Sequence, residues 1–398
     1  MKSFRNKNTL LPRIACLIFL SVAAFISPVA AQYDVKLVVT NYVKQHSNEP
    51  VYIAGNINNW NPGHKNYKLE NDGDKLVINL KGIAASVLEF KFTRGSWNTV
   101  AASNTGGDLQ NHLIVLTSDT TVYFDISAWK DDFAPEEKKH TASANVKVID
   151  TAFYMPQLGR KRRISIYLPA GYEKSTMRYP VLYLQDGQNV FDDFKAGFGE
   201  WGVDESLDSL IKQGNKACIV VAIDNGPRRL TEYNPFYFER FGSGEGEAYV
   251  DFLVATLKPF IDFKYRTLAT KEHTIIAGSS MGGLISYYAF LKFPQVFGKA
   301  GVFSPAFWTA DSIYQMTDSL GKATSGMAFF YMGALEGDTY LADMMKVTDQ
   351  LGSLSKAYVY TVIDPEGRHN EQAWRKWFAE FYQWIVKDGN NYIVKPAD

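Results

Sequence analysis

His273-Thr274-Ile275-Ile276-Ala277-Gly278-Ser279-Ser280-Met281-Gly282-Gly283-Leu284 starts as an apolar run of strand length, tightens into glycines around a serine, and opens into an apolar helix. A G-x-S-x-G string occurs by chance in many chains. Between a strand and a helix it describes an elbow that lifts the serine clear of a sheet. Glycines flank the serine because so tight a turn leaves no room for Cβ atoms. The helix start behind it offers free N–H groups and positive potential to a developing oxyanion. Ser280 is therefore read as a nucleophile.

Working outward, residues 146–398 alternate strands and helices. Apolar runs of strand length lie at 164–168, 181–184, 219–223, 274–277, 300–303, 327–332 and 358–363. Helical patterns lie between several of them, at 203–213, 247–261 and 284–292, and a last helix, 371–387, is aromatic on one side. This rhythm predicts an α/β fold of the α/β-hydrolase kind, with a mostly parallel sheet covered on both faces. Ligands then gather at the carboxyl ends of the strands. Residues 32–130 have a different texture. Short strands at 35–39, 51–54, 75–80, 88–92 and 122–124 are separated by turns such as Asn61-Pro62-Gly63 and Asp72-Gly73, which predicts a small all-β sandwich. The charged, aperiodic stretch 131–145 reads as a linker.

A serine of this kind needs a base and an acid, which follow it in the order acid, then His, on this fold. Of six histidines, His369 alone follows Ser280, in the loop Asp364-Pro365-Glu366-Gly367-Arg368-His369-Asn370 after an apolar strand. His273 is near in sequence but far in space. Seven residues of strand at about 3.3 Å each set it on the order of 20 Å away. For the acid, Glu336 is preferred over Asp338, both in the loop Gly333-Ala334-Leu335-Glu336-Gly337-Asp338, and Asp364 comes third because it suits a turn cap before Pro365. Either loop carboxylate could orient the imidazole. The backbone N–H groups of Gln188, in the loop Gln185-Asp186-Gly187-Gln188, and of Met281 are the candidate oxyanion donors.

Composition limits the remaining choices. Lys2, Arg5, Lys7 and Arg13, the apolar run 16–26 and Val29-Ala30-Ala31 make residues 1–31 an export signal. Cys16 precedes the apolar core and is a poor lipoprotein acceptor. No later stretch is long and apolar enough for a membrane span, so no transmembrane segment is expected. Without those four basic residues the chain carries 38 basic against 42 acidic groups, which gives no reason to bind nucleic acid. After processing, Cys218 alone of the two cysteines remains, in the apolar run 217–222, so no internal disulfide is expected and a buried, inert thiol is. Histidines are too few, and ligand spacings lacking, for a metal; no cofactor is implied.

Tyr183-Leu184-Gln185-Asp186-Gly187-Gln188-Asn189-Val190-Phe191-Asp192, Asp224-Asn225-Gly226 with Arg229, the serine elbow, Ser304-Pro305-Ala306-Phe307-Trp308, and Gly367-Arg368-His369 with Trp374 together resemble the putative-esterase family of α/β-hydrolases. That family includes acetylxylan and feruloyl esterases, siderophore esterases and mycolyltransferases. The resemblance covers residues 146–388 and implies ester hydrolysis, with the acid at Glu336, where Asp is frequent in the family. Val51-Tyr52-Ile53-Ala54-Gly55-Asn56-Ile57-Asn58-Asn59-Trp60-Asn61-Pro62 and Phe90-Lys91-Phe92-Thr93-Arg94-Gly95-Ser96-Trp97 are similar to an early-set, glycogen-binding-type sandwich. That resemblance implies sugar stacking on Trp60 and Trp97, unless both brace the sandwich core. Trp308, Trp201 and Arg229 are candidate pocket residues, with a packing role open for each. The expected substrate is a carbohydrate carrying an acetyl or feruloyl ester. The alternatives are a siderophore trilactone and, in another class, a non-catalytic carbohydrate-binding protein.

Overall fold

A computed structural model describes residues 32–386, except 59, 85–86, 110, 135–137 and 240–241. The segment 1–31, read as an export signal, lies outside the described residues.

The first unit holds β1 (Tyr33–Tyr42), β2 (Tyr52–Gly55), β3 (Glu70–Asp72), β4 (Lys75–Ile83), β5 (Val87–Thr93), β6 (Ala101–Ala102), β7 (His112–Val115), β8 (Thr120–Ile126) and β9 (Ala128–Trp129). One sheet has the order β3-β4-β1-β8 and a second the order β2-β5-β7, while β6 pairs with β9. Alternation of apolar and polar residues aims one face of each sheet inward. Val35, Leu37 and Val39 of β1, Leu76, Ile78 and Leu80 of β4, and Leu88, Phe90 and Phe92 of β5 share one core with Ile53 and Trp129.

The second unit is built on one sheet. Its strands are β10 (Val146–Met155), β11 (Arg160–Tyr167), β12 (Val181–Gln185), β13 (Ile219–Ile223), β14 (Thr274–Ser279), β15 (Lys299–Phe303), β16 (Ser325–Gly333) and β17 (Lys356–Asp364). They lie in the order β10-β11-β13-β12-β14-β15-β16-β17. Every pair from β13 to β17 is parallel, and β10 and β11 form an antiparallel edge. The helices are α1 (Val203–Lys212), α2 (Arg229–Glu232), α3 (Gly246–Phe252), α4 (Lys258–Lys264), α5 (Met281–Lys292), α6 (Ser312–Leu320), α7 (Asp338–Leu354) and α8 (Glu371–Ile385), with a π-turn at Leu253–Leu257 joining α3 to α4. α1 and α8 close one face of the sheet, and α3 to α7 the other. The result is an α/β-hydrolase-like fold. β13 is buried on both faces, which explains its unbroken apolar run. Cys218 beside it is buried, and burial pushes its thiol up to about 12.

The stretch read as a linker is tied down. The Thr141 N–H and His140 Nδ1 meet Asp192 at 3.2 and 3.0 Å, the Thr141 hydroxyl donates to Glu200 at 3.0 Å, and the Ser143 N–H donates to Asp204 at 2.6 Å. Those three carboxylates are buried, and burying them costs stability unless such donors reach them.

Candidate active site

The parallel order sends the residues after β12, β14, β15, β16 and β17 to one edge of the sheet. Three of them have positive φ without being glycine: Asp186 at 55°, Ser280 at 58° and Ser304 at 42°. Such strain persists only where the surroundings impose it, and it gathers at functional sites. Ser280 stands between the end of β14 and the first residue of α5, with ψ −124°. A Cβ on Gly278 would lie 2.8 Å from the Gly282 carbonyl carbon, which leaves no room for a side chain, and one on Gly282 would lie 3.1 Å from the Gln185 Cβ, a tight fit. The Ser280 N–H donates to the Phe303 carbonyl at 2.9 Å, and the Ser280 carbonyl accepts from the Ala306 N–H at 3.1 Å. The elbow is thus fixed to the end of the neighbouring strand.

Glu336 follows β16 and is 5% exposed. One carboxylate oxygen lies 2.7 Å from His369 Nδ1. The other accepts from the Ser304 hydroxyl at 2.6 Å and the Gly333 N–H at 2.9 Å. Ser304 in turn accepts from the Trp374 indole N–H at 2.9 Å. An acceptor at Nδ1 selects the tautomer that leaves Nε2 free to take a proton. Asp338 is instead an exposed first residue of α7. Asp364 accepts from the Glu366 N–H, the Lys376 ammonium and the Trp377 indole, so it caps the turn before α8. His273 sits in a short turn before β14, at the opposite end of that strand.

The His369 side chain keeps 41% of its surface open, so the imidazole is reachable. Enclosure by the surrounding walls pulls its pKa down, but the Glu336 charge and hydrogen bond outweigh this and hold it above the ordinary 6.5. A base works in its neutral form. Any activity that depends on His369 is therefore expected to fall, as pH drops, through a pKa above 6.5 in the kcat/KM profile, and Glu336→Gln should move that limb to lower pH. An acid limb that stayed in place in the variant would show that Glu336 does not set the imidazole's charge.

Of the oxyanion candidates, Met281 adjoins Ser280, and Gln188 follows Asp186, whose carboxylate would stand 3.2 Å from a Cβ on Gly282. The Met281 N–H is the first of the unpaired N–H groups at the start of α5. Gln188 lies in a short turn whose first hydrogen bond runs from the Asn189 N–H to the Asp186 carbonyl, at 2.9 Å. Asp186 is what holds this loop. Its carboxylate accepts from the Asn225 amide at 2.6 Å and from Arg229 Nε and Nη2 at 2.7 and 2.8 Å. Arg229 also lies over the Tyr233 ring. Arg229, expected as a pocket residue, is thus committed through Nε and Nη2 to Asp186 and braces the loop that carries Gln188. Trp201 requires a correction to the same expectation. It is 4% exposed and packs edge-on to Phe303, with Trp374 beyond, so it is core. Trp201→Ala is expected to cost about 3–5 kcal/mol in chemical denaturation; a change below about 1 kcal/mol would contradict that role.

Trp308 is 39% exposed and sits at the rim between Phe238 and Tyr340. Trp60 and Trp97 pair at 6.4 Å on the sandwich, with Trp97 42% exposed. Ser304 and Asp186 both lie in stretches quoted from the sequence, yet their roles were not read there. A hydroxyl or carboxylate just beyond a strand of the parallel sheet is the signal that could have pointed to them.

The model of the family described as Putative esterase matches residues 155–385, more than half of the chain. The chain belongs to that family. Among curated relatives, an uncharacterised protein of Bacillus subtilis strain 168, YbbA, is 27% identical over 240 residues, covering 56% of this chain and 92% of that protein. An endo-1,4-beta-xylanase/feruloyl esterase of Xylanibacter ruminicola is 29% identical over 274 residues, covering 63% of this chain but only 36% of its own length. Among solved structures, the enterobactin esterase FES of Shigella flexneri aligns with a TM-score of 0.52 at 16% identity, over 85% of this chain and 88% of that one. Membership of the family makes this esterase a carboxylic-ester hydrolase. No helix among its described residues is long and apolar enough to cross a membrane.

Proposed function

We propose that this esterase is an exported serine hydrolase that removes an acetyl or feruloyl group from carbohydrate through Ser280, His369 and Glu336. The observation that carries the reading is the buried Glu336 carboxylate 2.7 Å from His369 Nδ1, at the sheet edge that also holds the Ser280 elbow. The Ser280 hydroxyl attacks the ester carbonyl while His369 Nε2 takes its proton. The tetrahedral oxyanion faces the N–H groups of Gln188 and Met281. His369 then protonates the departing alcohol, and water repeats the sequence to free the acid. Glu336 holds the imidazole in the working tautomer and balances its charge. Trp60 and Trp97 form a flat pair suited to sugar rings, and Trp308 at the rim suits the acyl group or the first sugar.

Cleavage of a siderophore trilactone is the second reading, favoured by a likeness to the enterobactin esterase that spans both units. Purified protein offered methyl ferulate, a feruloylated arabino-oligosaccharide, acetylated xylan and enterobactin separates the two readings. With methyl ferulate as the sugar-free control, preference for the feruloylated arabino-oligosaccharide or the acetylated xylan supports carbohydrate. Preference for the trilactone would overturn it.

A further inference from the structure

The centre of the sandwich's three-stranded sheet has two buried faces. Leu88, Phe90 and Phe92 of β5 point into the sandwich core, so Glu89 and Lys91 must point out of it. Outward positions of a small sandwich ordinarily meet water, yet Glu89 is only 7% exposed. Its carboxylate accepts from the Asn111 amide at 2.7 Å, and Lys91 donates to the Leu109 carbonyl. The charged groups that act most strongly on Glu89 belong to the catalytic unit: His369, Arg368 and Glu336. Reciprocally, Glu89 acts on His369 and on Tyr340, beside Trp308. The outer face of β5 therefore borders the loop that carries the base.

The backbone that presents Glu89 is held firmly. Asn56 accepts from the Glu89 N–H at 3.2 Å and donates to the Val87 carbonyl at 2.7 Å. Gly55 lies so close to this strand that a Cβ there would stand 2.2 Å from the Glu89 carbonyl oxygen. The Gly55-Asn56 pair, which reads in sequence as a simple turn, thus fixes the strand that carries the carboxyl.

The side of the cleft on which Glu89 stands can be argued from the chemistry. The alcohol leaves with the proton that His369 returns, so it must lie against the imidazole. The carbonyl oxygen lies across Ser280, towards Gln188 and Met281. Glu89 is on the histidine side, where a carboxyl meets the alcohol. We propose that Glu89 is a specificity residue supplied by the sandwich, one that hydrogen-bonds hydroxyl groups of the alcohol half of the ester. The proposal rests on the serine-esterase reading and extends it: the ligand class at this position is a polyhydroxylated alcohol, and the sandwich is one wall of the reaction cleft. Burial holds the Glu89 carboxyl above the usual carboxylate range, against the Asn111 bond and the nearby His369. A carboxyl in that condition can both donate to and accept from hydroxyls.

The test uses the full chain and two esters of one acid, methyl ferulate and a feruloylated arabino-oligosaccharide. In Glu89→Ala, the ratio of kcat/KM for the sugar ester to that for the methyl ester is expected to fall about tenfold to a hundredfold, mainly through KM, the loss of one hydrogen bond to a charged or strongly polar group. Glu89→Gln, nearly isosteric, should fall less. An unchanged ratio in both variants overturns the proposal. So does an equal loss on both esters with a lowered Tm, which would mark Glu89 as structural only. A wild type that cleaves methyl ferulate as well as the sugar ester also overturns it while leaving the serine esterase intact. A wild type inactive on both removes the reading beneath it.

Discussion

Ser280→Ala is expected to lower kcat/KM on p-nitrophenyl acetate by about ten-thousand-fold or more, while circular dichroism and Tm stay close to wild type. The size follows from the role. Without the nucleophile only the oxyanion donors and substrate binding remain, and in serine hydrolases these retain a small fraction of the catalysis. The fold should tolerate the change, because the elbow is held by backbone bonds from Ser280 to Phe303 and Ala306, and alanine preserves both. A variant retaining a tenth of the activity would mean that another group attacks the ester. The assignment of Ser280 would then fall.

The second large effect is expected at the acid. Glu336→Gln should reduce kcat by roughly a hundredfold to ten-thousand-fold, since an amide can hold the imidazole in the wrong tautomer and cannot balance its charge. Asp338→Asn should stay within about twofold, because that carboxylate is exposed at the start of α7. The paired comparison discriminates between two carboxylates separated by one residue. Equal losses in both variants, or a loss only in Asp338→Asn, would overturn the choice of Glu336. Measuring the pH profile alongside connects the rate to the imidazole, whose raised pKa comes from the same 2.7 Å contact.

Much of the fold was legible because the buried strands are short, apolar and unbroken. β13 and β14 have every residue buried, and both stand out of the sequence at once. β10 was missed for a physical reason. It is an exposed edge strand with register shifts between Val148 and Asp150 and between Asp150 and Phe153, and each shift breaks the alternation by which a strand is recognised. α3, the π-turn and α4 follow one another without a break, so one continuous helix was read across 247–261.

For the candidate site, the order Ser280, Glu336, His369 along the chain was enough to nominate the residues, and Glu336 was preferred over Asp338 without a contact to argue it. Such a contact comes from Ser304, just after β15, whose hydroxyl reaches Glu336. Trp201 and Arg229 were left open between pocket and packing for a related reason. Both occur among site-like sequence, and only packing reveals that one fills the core and the other clamps Asp186. Glu89 was hidden by a good pattern. In Leu88-Glu89-Phe90-Lys91-Phe92 the polar positions read as solvent-facing, and nothing local announces that a second unit stands over them.

The strap formed by residues 138–145 bears on how this protein can be divided. A cut at residue 146, where the α/β texture begins, would remove the donors that reach Asp192, Glu200 and Asp204. Asp192 and Glu200 belong to the segment that runs on from the Gln188 turn to α1. They would keep Lys195 and Arg375 but lose their strap donors, and Asp204 would lose the Ser143 N–H, which would loosen the ground next to Gln188. A shortened chain beginning there could lose activity without the sandwich ever having touched a substrate. The natural seam lies before Lys138, whose ammonium already reaches the Ala196 carbonyl at 2.6 Å. Seen mechanically, the connection is a splint: it ties the passage between the two units to the reaction loop.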